Sequence, residues 1–184
     1  PPGSVGEGGY PDGMRLRELW ATRFALQRLT GTPASDPVAA VAESLAVQSQ
    51  DVPLAHDSLA QRTGAGAADA ATALDAGAII RTHVLRPTWH HVAAADVAWL
   101  LALTSPKVLS GMRARHRGLG LAEPADRTPR LDFLLAQVAD RPRTRADLAA
   151  AFATAGVLDR EHPDFWAQLS HVCLIAELEG LVCS

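Results

Sequence analysis

Ile79-Ile80-Arg81-Thr82-His83-Val84 and Thr88-Trp89-His90-His91-Val92 are two β-prone runs joined across Leu85-Arg86-Pro87. β-Branched and aromatic side chains dominate both, and a proline-bearing turn separates them, which predicts a short antiparallel hairpin. The flanks have a different period. Upstream, Val38, Val41, Ala42 and Leu45 recur at helical spacing. Ser35 or Asp36 can cap that helix, with Pro37 in its first turn. Further helices are predicted over Leu54 to Arg62, broken by Gly64 and Gly66, and over Ala67 to Asp75, ended by Gly77. Downstream, Asp96 opens an apolar helix through Val97, Trp99, Leu100, Leu101 and Leu103. A first helix is predicted from Met14 through Leu29, with Leu16, Leu19, Trp20, Phe24 and Leu26 or Leu29 facing inward, and Gly31 and Pro33 end it.

Helices followed by a hairpin predict a helix-turn-helix with a wing, here spanning residues 14–110. The same order begins again after an arginine-rich connector at residues 111–130. Leu131 to Val138 reads as helical, Thr144 caps Arg145 to Ala155, and Phe165 to Glu179 forms a third helix that Gly180 stops. Leu181-Val182-Cys183 then reads as a strand. The expected fold class is mainly α with a short β-hairpin: a tandem winged helix-turn-helix, the second (131–184) truncated before its wing, as in a fragment of a longer protein. Residues 1–13, rich in Gly and Pro, read as a disordered leader.

The 184 residues suffice for one large or two small domains with a proper core. Sixteen arginines accompany a single lysine, Lys107, which reads as the codon bias of a GC-rich genome. Cys173 and Cys183 form neither a disulfide framework nor a CxxC metal motif. No apolar run reaches the roughly 18 residues of a membrane span, and no basic-then-apolar leader is present, so a soluble, cytoplasmic monomer without cofactor or metal is expected. Net charge is −3, but its distribution is uneven. Residues 111–145 carry eight basic and four acidic side chains, whereas residues 146–184 carry one and six. The basic stretch reads equally as a phosphate-contacting track or as a solvated connector.

Gln48-Ser49-Gln50 stands where the helical pattern of Val38 to Leu45 breaks. Pro53 biases Val52 away from the α region, so Gln50 to Pro53 is expected to be extended. Residues two apart share a face in extended chain but not in a helix, so both amides can converge on one small volume. Each amide supplies donors and an acceptor, suited to holding a water or a nucleobase edge. Asp51 reads as the cap of the helix that follows.

Gln48-Ser49-Gln50, Leu74-Asp75-Ala76-Gly77-Ala78-Ile79-Ile80-Arg81-Thr82 and Leu85-Arg86-Pro87-Thr88-Trp89-His90-His91-Val92 together resemble the AlkZ/YcaQ family over residues 15 to 184. Those proteins are DNA glycosylases built from tandem winged helices; they remove bulky alkylated purines and unhook interstrand crosslinks. The family's hairpin usually reads Arg-Gly-Thr-Leu-His, where this chain has Arg86-Pro87-Thr88-Trp89-His90. Its catalytic motif is Gln-x-Gln in the AlkZ branch and Gln-x-Asp in the YcaQ branch, and this chain matches the former. The resemblance implies Gln48 and Gln50 as catalytic residues and double-stranded DNA, alkylated or crosslinked, as partner. Arg81, Arg86 and His90 on the hairpin, with Arg113, Arg115 and Arg117, are then the candidate DNA contacts. The implied reaction is hydrolysis of the N-glycosidic bond of N7-alkylated purines by a monofunctional glycosylase. The alternative is a non-catalytic winged-helix DNA binder, a transcriptional regulator or DNA-damage resistance protein.

Other residues carry less. His90 and His91 are strand neighbours that point to opposite faces, which argues against a joint metal site. Trp89 and Trp99 read as core, His56 and Asp57 as surface, and Ser49 lacks a histidine partner for nucleophilic work.

Overall fold

Capping side chains decide where the first helices begin. A computed structural model of the chain describes residues 16–184; the expected leader and the Met14 start lie outside them. α1 spans Leu16–Leu26 and buries none of its residues. Leu16, Trp20, Phe24, Leu26 and Leu29 are exposed, against the expected inward stripe. The Trp20 and Phe24 rings instead meet each other at 6.0 Å, one turn apart on the same helix face. The core of this half begins at Ala34.

α2 (Pro37–Ser44) is capped by Asp36, whose carboxylate accepts from the Ala39 N–H at 2.8 Å. It ends at Leu45, which takes a positive φ of 62° and turns the chain into β1 (Val47–Gln48). α3 (Val52–Thr63) starts two residues earlier than predicted. Asp51 caps it by accepting from Leu54 N–H at 3.1 Å, and Pro53 sits in the first turn, where no N–H partner is needed. The extended stretch therefore stops at Asp51. α4 (Ala67–Asp75) follows, and Gly77, at φ 72°, supplies the left-handed turn into the hairpin.

The hairpin forms as predicted, from β2 (Ile79–His83) and β3 (Trp89–Ala93). β1 joins it, giving a three-stranded antiparallel sheet in the order β1-β3-β2. Ala40, Val41, Leu59, Ala70, Ile79 and Ala93 pack α2, α3 and α4 against the sheet.

α5 (Val97–Gly111) leaves the sheet after a single 3₁₀ turn. Trp99 is 44% exposed, not core; its indole N–H donates to the Asp96 carboxylate at 2.7 Å. Residues 111–130 are largely helical: α6 is Arg113–Gly118, and α7 (Pro124–Val138) starts seven residues before Leu131, with Pro124 at its first turn. α8 (Arg145–Thr154) carries the predicted Thr144 cap, reciprocated by Asp147.

α9 (Phe165–Leu178) is buried along Val172–Leu178 without a break, because α7 packs on one side and β2 and α5 on the other. Phe152, Phe165, Leu169 and Ile175 fill the core of this half. Gly180, at φ 71°, ends the helix. Leu181–Cys183 does not form the predicted strand; one backbone bond, from Ser184 N–H to the Arg81 carbonyl at 2.9 Å, reaches the β2 edge. No described helix is long and apolar enough to cross a membrane.

Glu177 is the charged group within this packing, 1% exposed. Its carboxylate accepts from the His83 backbone N–H at 3.0 Å, from the His83 ring at Nδ1 (2.6 Å), from the Trp89 indole at 3.3 Å and from the Ser184 hydroxyl. Burial opposes its ionisation, but the donors from His83, Ser184 and Trp89 prevail and hold its pKa below the ordinary 4.5.

Glu177→Ala leaves those donors unpaired and is expected to destabilise the fold by about 3–5 kcal/mol in denaturant titration. The folded pKa is depressed, so the carboxylate's contribution is present above pH 4.5 and is lost as pH falls through the folded value. Glu177→Gln should flatten that acid limb of the stability profile.

Candidate functional site

The turn at Leu45 releases the chain from α2 just before the two glutamines, and pairing with β3 keeps it extended. Gln48 lies opposite His90, and the Ser49 N–H donates to the Trp89 carbonyl at 2.8 Å. Gln48 and Gln50 are exposed while Ser49 is 0% exposed, the alternation of an extended strand on a packed surface.

Both amide oxygens are held by the hairpin. Gln48 Oε1 accepts from Arg86 Nη2 at 3.1 Å, and Gln50 Oε1 accepts from the Trp89 backbone N–H at 3.2 Å. Because each partner is a donor, the orientation of both amides is fixed by chemistry. The Gln50 side chain thus takes the ladder donor that the Ser49 carbonyl would otherwise meet. That carbonyl accepts from Arg81 Nε at 3.0 Å instead. Among the described residues neither amide nitrogen donates to a protein group. Each site presents two N–H donors and one remaining carbonyl lone pair to solvent. That set can orient a water and oppose developing positive charge with a fixed dipole.

Gln48 also lines a cleft of about 430 Å³ with Leu26, Gln27, Ser44, Ser58 and Arg62. Gln50 stands outside that lining, beside the start of β3.

The other sequence candidates separate into two groups. Arg86 is exposed at the hairpin turn and shares a cleft of about 590 Å³ with Lys107 and Met112, next to the start of α6. Arg113 and Arg117 are exposed on α6, and exposed Arg115 lies 3.6 Å from Asp164. Arg81 points inward, its guanidinium 4.3 Å from the Trp89 ring centroid, and Arg145 lies over the same ring at 5.3 Å. His90 is 4% exposed, paired with Thr82 on one side and Gln48 on the other, so it backs the Gln48 strand from within.

His91 faces the opposite side of the sheet from His90 and stacks on His56 at 5.4 Å, which removes His56 from the expected surface set. Burial, with His56 and Arg81 adding to it, depresses the His91 pKa to about 4. Among the described residues no group of three or more His, Cys, Asp or Glu side chains could hold a metal ion. Trp89 and Glu177 escaped the sequence reading as site residues. The signal for Glu177 was present: a lone acid among Leu174, Ile175, Ala176 and Leu178.

His91 is expected to titrate near pH 4 in a ring-nitrogen NMR titration. Its unfolded pKa is about 6.5, so the unfolded chain takes up the proton first. The fold should therefore lose stability as pH falls from 6.5 towards 4, where a free surface imidazole would show no such slope.

The family model of AlkZ-like DNA glycosylases matches residues 41–184, from the middle of α2 to the last residue, and so includes both glutamines, the hairpin and α9. Neither a curated protein nor a solved structure matches the chain. With more than half of its length under that match, the chain belongs to the AlkZ-like DNA glycosylase family.

Proposed function

We propose that this chain is a monofunctional DNA glycosylase that hydrolyses the N-glycosidic bond of bulky N7-alkylated purines, crosslinked ones included. The observation that carries the reading is the pair of exposed amides flanking buried Ser49, each with its oxygen held by the hairpin and its nitrogen open. An N7-alkylated purine already bears positive charge and leaves readily as a neutral base. What the reaction then requires is a positioned water and stabilisation of an oxocarbenium-like sugar. Gln50 orients the water through its remaining carbonyl lone pair, and Gln48 supplies the second contact to the water or the sugar. An amide is no general base at neutral pH, and Asp51, committed to capping α3, faces away from this task. The water's proton is lost to solvent as the oxocarbenium collapses.

The order α2-β1-α3-α4-β2-β3 with sheet order β1-β3-β2 supports a winged helix in the first half. α7, α8 and α9, followed by Leu181–Ser184 at the β2 edge, support a second one. On this reading the wing brings Arg86 to duplex DNA, and Lys107 and the α6 arginines extend the phosphate track. A second reading, a non-catalytic winged-helix DNA binder, is favoured by one observation: Gln50 Oε1 has a structural task on Trp89 N–H.

Excision of N7-alkylguanine from duplex DNA separates the two. Gln50→Ala is expected to lower the single-turnover rate by about 10²-fold or more while leaving DNA affinity nearly intact, since phosphate contacts dominate binding. Gln48→Ala should do the same to a similar or lesser degree. Gln50→Asp should retain some activity, because a carboxylate also orients water. Parental excision by Gln50→Ala would leave the binder as the function.

The interface is tested by salt. Replacing Arg113, Arg115 and Arg117 together with alanine should weaken duplex binding and flatten its salt dependence by up to about three phosphate contacts. Arg115 should contribute least, being near Asp164. An unchanged slope removes α6 from the interface.

A further inference from the structure

The sequence places Arg81 beside the hairpin turn, as a candidate phosphate contact; the fold turns its guanidinium inward. Its Nε donates to the Ser49 carbonyl at 3.0 Å, and Ser49 is the buried residue between the two glutamines. The plane of the guanidinium is fixed by the Trp89 ring at 4.3 Å. Trp89 is itself held twice: its indole donates to Glu177 at 3.3 Å, and its backbone N–H donates to Gln50 at 3.2 Å. Four links therefore converge on three successive residues of the loop: Arg86 on Gln48, the Trp89 N–H on Gln50, and on Ser49 both the Trp89 carbonyl, which takes its N–H, and Arg81, which grips its carbonyl. Burial disfavours the Arg81 charge and lowers its pKa, with Glu177 opposing that shift and Arg145, over the same Trp89 ring, adding to it.

We propose that Arg81 is a positioning residue for the glutamine pair. By clamping the Ser49 carbonyl from beneath, it sets the separation and direction of the Gln48 and Gln50 amides without touching DNA. This rests on the reading of those glutamines as the catalytic pair. Only arginine combines an in-plane Nε–H donor with a flat face that stacks on an indole; lysine keeps the charge and loses both. A phosphate contact would tolerate that exchange, and a clamp would not.

The test compares the full-length parent with Arg81→Lys and Arg81→Ala. Three quantities are read: single-turnover excision of N7-methylguanine, duplex affinity across a salt series, and the side-chain amide NMR signals of the glutamines. Both variants are expected to excise about 10- to 100-fold more slowly, the penalty of a misplaced catalytic group. Affinity should change by less than about threefold and the salt slope should stay that of the parent, since no phosphate contact is lost. The Gln48 and Gln50 amide signals should move in Arg81→Lys, while those of Gln137 and Gln168 stay in place. Parental excision by Arg81→Lys, or a slope reduced by about one contact, would overturn the proposal. If Arg81→Ala does not fold, Arg81→Lys decides alone. A parent that does not excise refutes the glycosylase reading; the amide signals then decide the clamp, moved signals supporting it and unmoved ones overturning it.

Discussion

A carboxylate buried to 1% exposure must find donors on every side, and Glu177 finds them on the hairpin. Removing a charge from water costs several kcal/mol unless hydrogen bonds replace the solvent. That requirement fixes how α9 meets β2 and β3: His83 must present both its backbone N–H and its ring, and Trp89 must turn its indole towards the helix. Apolar packing alone would let the two halves slide. The carboxylate selects one register between them, because only that register satisfies its oxygens.

From Trp89 the constraint passes to the glutamine loop. The residue whose indole serves Glu177 also gives its carbonyl to Ser49 and its N–H to Gln50. Arg81, stacked on that indole, holds the Ser49 carbonyl. The loop thus sits on rigid strand and helix, while its two amides face solvent. Such an arrangement keeps polar groups in place before a substrate arrives, and fixed dipoles act only when they need not reorganise.

The two structural halves contribute unequally. The glutamines and the hairpin belong to the first, in which α2, α3 and α4 pack on the sheet through small side chains such as Ala40 and Ala70. The second half carries the larger core, with Phe152, Phe165 and Leu169, and supplies the anchor. The family match runs through both, from residue 41 to residue 184.

Local chemistry was legible in the sequence. Asp36, Asp51 and Thr144 cap helices because their side-chain oxygens reach N–H groups three residues on, a purely local geometry. The hairpin at Ile79–Ala93 and the turns at Gly77 and Gly180 follow from β-propensity and from the freedom of glycine at positive φ. Gln48 and Gln50 could be put on one face from the break in helical period alone. Long-range placement was not legible. The stripe of α1 looked like core because amphipathicity does not say whether a partner exists. Pro124 and Pro129 looked like connector, yet first-turn tolerance and tertiary packing absorbed them into α7. The inward turn of Arg81, the stacking of His56 on His91 and the reach of Glu177 across 94 residues to His83 depend on contacts between distant segments. Sequence by itself determined the caps and turns, whose partners lie within a few residues; only the tertiary structure decided what holds the two amides and which charges are buried, because both depend on where distant segments of the chain are brought together.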